Sequence, residues 1–114
     1  MSKITTHVLD AVVGKPAAGI AVRLERHAFD RRKTGAWAQV AESQTDADGR
    51  CRDLMANGLP GVYRLTFETG PYLMGHGRKS IYPEIVIVFT CSGEEHYHLP
   101  LLLSDNSYTT YRGS

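Results

Sequence analysis

The sequence predicts an all-β protein, an eight-stranded antiparallel β-sandwich with one short helix between strands five and six. Three observations predict it. Short runs of alternating apolar and polar residues recur along the chain, β-branched and aromatic residues dominate them, and turn residues separate them roughly every ten positions.

The first run, "KITTHVLDAVV" (3–13), alternates and stops at the turn Gly14-Lys15-Pro16. In "GIAVRLERH" (19–27), Ile20, Val22 and Leu24 share one face and Ala21, Arg23 and Glu25 the other. "WAQVAESQT" (37–45) makes a third strand before the turn "DADG" (46–49), and "GRCRDL" (49–54) a short fourth. "GVYRLTFET" (61–69) sets Tyr63, Leu65 and Phe67 against Val62, Arg64, Thr66 and Glu68. "EIVIVFTC" (84–91) is a continuous apolar run, the pattern of a strand covered on both faces. "EHYHLPLLLS" (95–104) and "SYTTYRG" (107–113) complete the set, with a turn at Asp105-Asn106. The helix candidate is "YLMGHGRKS" (72–80), kept short by its two glycines.

A chain of 114 residues fits one domain, residues 1–114, with one hydrophobic core and no need of covalent staples. Thirteen Lys and Arg nearly balance twelve Asp and Glu, which argues against nucleic acid as a partner. The basic stretch "ERHAFDRRKTG" (25–35) is interrupted by acids and reads as a solvated loop. No run approaches the ~20 apolar residues of a membrane span, and the N-terminus shows no apolar signal-peptide core, so the expectation is a cytoplasmic protein away from membranes. Cys51 and Cys91 lack CxxC spacing and read as reduced thiols.

Alternation also sorts the chemistry-bearing residues. Thr5, His7 and Leu9 share a face of the first strand, opposite Ile4, Thr6 and Val8. His96, His98, Pro100 and Leu102 share a face of the seventh, opposite Tyr97, Leu99 and Leu101. On the last, Thr109, Tyr111 and Gly113 oppose Tyr108, Thr110 and Arg112. With Tyr97, Leu99 and Leu101 in the core, the face of His98, Pro100 and Leu102 turns outward. Its apolar quality suits a subunit contact or a ligand groove. The pair His96 and His98 has a spacing that metals exploit, but no third ligand stands in sequence reach, and no metal or cofactor is expected.

Five segments carry a family resemblance: "THVLDAVVGKPAAGIAVRLER" (6–26), "TDADGR" (45–50), "YPEIVIVF" (82–89), "HYHLPLLLS" (96–104) and "YRGS" (111–114). Together they resemble 5-hydroxyisourate hydrolase, the transthyretin-like enzyme family of urate degradation. "HVLD" and "PLLLS" are also similar in the hormone carrier transthyretin, whereas "YRGS" and the histidines mark the enzyme branch. The resemblance implies a homotetramer, a dimer of dimers with active sites along the dimer–dimer channel. It implies the substrate 5-hydroxyisourate, hydrolysed at a ring amide to 2-oxo-4-hydroxy-4-carboxy-5-ureidoimidazoline. It assigns catalysis to His7, Arg50 and His98, and substrate binding to Tyr111, Arg112, Gly113 and Ser114.

Histidine suits proton transfer near neutral pH, and arginine offers a charged planar fork to an oxyanion or imide edge. Neither a nucleophile elbow nor an activated thiol is visible, so direct attack by water is expected. The alternative reading is a small-ligand carrier using the same channel. Two departures from the family pattern stand out: Asp105-Asn106 where a proline usually follows "LLLS", and Ile81-Tyr82 where Phe-Phe is usual.

Overall fold

Ile4, Thr6 and Val8 point inward from strand β1 (Ser2–Asp10), and that alternation seats the strand at the centre of its sheet. The computed structural model describes residues 2–29 and 35–113. After β1 come β2 (Lys15–Pro16), β3 (Ala21–Phe29), β4 (Gly35–Gln44), β5 (Arg50–Gly58), β6 (Gly61–Phe67), helix α1 (Thr69–Gly75), β7 (Ile85–Cys91), β8 (His96–Leu103) and β9 (Tyr108–Thr110).

One sheet runs β2-β1-β8-β9, with β5 also paired to β1; the other runs β4-β3-β6-β7. The long β8 occupies one edge of β1 from Lys3 to Asp10, so β2 and β5 divide the opposite edge. The β1–β8 pair is parallel, while the remaining pairs are antiparallel. Between the sheets lies a core including Ile4, Val8, Val22, Leu24, Leu65, Phe67, Leu99 and Leu101. The expected two-sheet sandwich with one helix between the fifth and sixth long strands is therefore present.

Several boundaries differ from the sequence reading, each for a local reason. The helix occupies Thr69–Gly75 rather than 72–80. Pro71 lies in its first turn, where a missing amide costs nothing. At the other end Gly77 adopts φ +68, and the amides of Gly77 and Arg78 turn back to Met74 and Leu73 carbonyls, a Schellman stop. Lys15 and Pro16, read as turn, pair with Asp10 and Leu9 as the two-residue β2. The basic stretch is strand at both flanks, because β3 reaches Phe29 and β4 begins at Gly35; residues 30–34 lie outside the described ones. β7 is not covered on both faces within one chain. It is an edge strand with Val86 and Val88 exposed, the latter 58%. Cys51 and Cys91 are free and buried, and burial pushes the Cys51 thiol up to about 11, far from a reactive thiolate.

Candidate active site

The outward face of β1, β5 and β8 forms an open groove of about 270 Å³ lined by Lys3, Thr5, Thr6, Arg50, Arg52, His96 and His98. Three of these side chains are permanent cations and none is a carboxylate. Strand register builds it. Thr5 stands beside His98 on β8, and His7 lies opposite Arg50 on β5 and beside Pro100.

Arg50 owes its place to the turn that precedes it. The Asp46 carboxylate accepts hydrogen bonds from the Asp48 and Arg50 amides at 2.9 and 3.0 Å. Those bonds, the Arg50 amide foremost, hold the carboxyl below its ordinary range. Gly49 has φ +76, and a Cβ there would come within 2.3 Å of the Val8 carbonyl oxygen. Only glycine lets this turn close on β1, where the Val8 amide donates to the Gly49 carbonyl at 2.7 Å.

The buried Thr5 hydroxyl lies 2.8 Å from His98 Nδ1 and 2.9 Å from His96 Nε2. The two imidazoles are 6.4 Å apart, centre to centre. Partial burial, then the charges of Arg50, His7 and His96, lowers the His98 pKa from the usual imidazole value. Its neutral, proton-accepting form is favoured, and Arg50 and His7 are its electrostatic neighbours.

β9 and the segment after it lie back along β8. Thr110 Oγ1 donates to the Pro100 carbonyl at 2.8 Å, and the Gly113 amide to the His98 carbonyl at 2.7 Å. A Cβ on Gly113 would stand 2.8 Å from His98 Cδ2 and 3.3 Å from Pro100 Cγ, so the glycine permits the approach. Arg112 goes elsewhere. Its guanidinium lies 4.4 Å over the Tyr97 ring and 3.4 Å from Glu95, on the opposite side of β8 from His98. Tyr111 is 52% exposed, and Ser114 lies outside the described residues. The fold thus gathers His7, Arg50, His98 and Gly113, and turns Arg112 away.

Lys3, Thr5, Thr6 and Arg52 line the groove without having been singled out for chemistry, and His96, noted only for its metal-like spacing with His98, joins them. Alternation from His7 back through Thr5 to Lys3, and from His98 to His96, is the signal that points to three of them. Among the described residues, no cluster of three or more His, Cys, Asp or Glu is placed to hold a metal ion. A larger cleft of about 510 Å³ lies along β3 and β4, but its Arg23 is already paired, with Glu25 at 3.4 Å and Glu68 at 3.8 Å.

The sequence matches the HIUase/Transthyretin family over residues 4–113. The chain belongs to that family. Among family relatives, the 5-hydroxyisourate hydrolase of Mus musculus is 44% identical over 116 residues, spanning 99% of this chain and 96% of the mouse protein. The solved 5-hydroxyisourate hydrolase of Klebsiella pneumoniae superposes with a TM-score of 0.86 at 38% identity, covering all of both chains. The transthyretin of Sparus aurata superposes with a TM-score of 0.88 at 34% identity, covering 97% and 96%. Backbone similarity to the two family branches is equivalent, so the groove's side chains must discriminate between them.

Proposed function

We propose that this chain hydrolyses 5-hydroxyisourate, opening the six-membered ring at an amide C–N bond. The observation that carries the reading is the groove itself: His98 lining it with Arg50, its Nδ1 held by Thr5 and Gly113 packed against its ring. In this reading a water between His7 and His98 loses a proton to imidazole and adds to the carbonyl carbon. The Arg50 guanidinium takes up the charge that develops on the carbonyl oxygen. The leaving nitrogen then receives a proton, and the ring opens. Tyr111, Gly113 and Ser114 orient substrate at the mouth of the site, while Arg112, turned to Tyr97 and Glu95, holds the tail in place.

The exposed edge residues Val86 and Val88, and the apolar flank of Leu9 and Leu102 beside the histidines, support a homotetramer. In that assembly the grooves would line a channel shared between dimers, in the cytoplasm. A carrier of aromatic ligands needs an apolar channel, and a groove with Lys3, Arg50 and Arg52 does not suit one.

The test is to generate 5-hydroxyisourate in situ from urate and follow its ultraviolet decay. Acceleration well above the spontaneous rate is expected, together with loss of most turnover on His98→Asn, on Arg50→Ala and on removal of residues 111–114. No acceleration by the wild-type chain overturns the hydrolase reading.

A further inference from the structure

Thr5 sits between two imidazoles, within hydrogen-bonding distance of His98 Nδ1 and His96 Nε2, and its hydroxyl carries one proton. It can donate to only one of those nitrogens at a time, so the other must supply its own N–H. The two histidines' tautomers are thereby coupled. When Thr5 donates to His96, His98 holds its proton on Nδ1 and presents a bare Nε2. When Thr5 donates to His98, the Nε2 of His98 carries the proton and His96 donates from Nε2.

We propose that Thr5 joins His98 to His96 as a reversible proton relay, with Thr5 and His96 as positioning residues for the hydrolysis proposed above, on which this inference rests. In the first half-reaction His98 Nε2 takes a proton from the attacking water, and the hydroxide bonds to the carbonyl carbon. The Nδ1 proton of His98 passes to Thr5 Oγ1 as the hydroxyl's own proton passes to His96 Nε2. Thr5 ends as it began, a neutral hydroxyl. The positive charge ends on His96. In the second half, His98 Nε2 gives its proton to the leaving nitrogen as the C–N bond breaks, and the relay runs backward to restore the starting state. Over the cycle one proton moves from water to the leaving nitrogen, and no other group changes charge.

Placement explains the advantage. His98 is partly buried and faces His7 and Lys3 of β1, Arg50 and Arg52 of β5, and His96 on its own strand. Partial burial first, and the Arg50 charge after it, oppose an imidazolium there and lower the His98 pKa. His96 lines the same groove beside Lys3, and the Arg112 guanidinium donates to its backbone carbonyl at 3.3 Å, but its side chain is exposed, so water stabilises a charge there better than at the partly buried His98.

The relay is tested by Thr5→Val, Thr5→Ser and His96→Asn, with kcat and KM taken from the decay assay and folding checked by circular dichroism. Thr5→Val should lower kcat about 10- to 100-fold with KM within about twofold, and Thr5→Ser should recover most of it. His96→Asn can accept a hydrogen bond but not carry the proton, and should match Thr5→Val; the double variant should be no slower than either. Should Thr5→Val fail to fold, His96→Asn carries the same test alone. Full kcat in a folded Thr5→Val or His96→Asn protein overturns the relay while leaving the hydrolase reading intact.

An independent readout is the ring-nitrogen spectrum of 15N-histidine protein across a pH titration. Protonation of His96 should shift the His98 tautomer in the wild type and cease to do so in Thr5→Val. If the His98 signals ignore His96 in the wild type, the relay is wrong whatever the enzyme turns over.

Discussion

His98 and Gly113 show how a functional position can depend on a residue with no side chain. The Gly113 amide is bonded to the His98 carbonyl while its Cα lies against the His98 ring. Gly113→Ala would put a methyl 2.8 Å from His98 Cδ2, so either the ring or the tail must move. A displacement of this order is expected to lower kcat roughly 10- to 100-fold with the thermal midpoint little changed, because the glycine lies outside the core. Steady-state kinetics beside a melting curve checks this. The charge environment of His98 gives a second expectation. Burial first, then the Arg50 charge and the neighbouring imidazoles of His7 and His96, disfavour its protonated form, so it should titrate below the ordinary imidazole value. Arg50→Gln removes a positive neighbour and should move the midpoint upward, as read by histidine NMR; a downward move would contradict the assignment.

The turn and the helix show how the elements around the groove are held. Arg78, just beyond the Schellman stop of α1, donates to both oxygens of the buried Asp10 carboxylate and pairs with Asp105 at 2.6 Å. Tyr72 adds a hydrogen bond to Asp10 at 2.9 Å. Burial alone would raise the Asp10 pKa, but the bonds from Arg78 and Tyr72 outweigh it and hold the carboxyl below its ordinary value. The residues that replace the usual proline are therefore used: Asp105 closes this ion-pair clamp, and Asn106 accepts from the Ile81 amide at 3.1 Å. Arg78→Met leaves Asp10 charged, buried and unpaired, and should cost about 3–5 kcal/mol in chemical denaturation. Asp105→Pro touches a partly exposed partner and should cost under about 1 kcal/mol. The Asp10 contribution is present above the unfolded carboxyl pKa and is lost as pH falls through the lowered folded value, so Arg78→Met should narrow its gap to wild type in acid.

The assembled molecule poses the question of edges. β7 leaves one sheet with an open edge and outward Val86 and Val88, a surface that isolated chains seldom leave bare. Under the proposed tetramer, Val88→Lys places a charge in a subunit contact and should lower the assembly state and turnover together. Light scattering after size exclusion checks the first and the decay assay the second. A tetramer of full activity carrying Lys at that position would remove β7 from the interface.

Much of this was legible in the chain itself. Alternation fixed which side of β1 and β8 is core, since Ile4, Val8, Leu99 and Leu101 must be buried, and so it also fixed that Thr5, His7, His96 and His98 face outward together. The family was legible too, because motif residues such as "THVLD" and "YRGS" are contiguous. Contiguity was misleading at the helix, where a left-handed glycine ends the segment the sequence reading extended to residue 80. What only the tertiary structure decided is who meets whom across the sheet. Thr5 and His98 are 93 positions apart, and the parallel pairing of β1 with β8 puts one hydroxyl between two imidazoles. The same packing turns Arg112 to Tyr97 and leaves Gly113 at His98. Periodicity specifies the face on which a side chain lies. Its neighbour across the ladder depends on strand order and register, which are set by how the whole core packs.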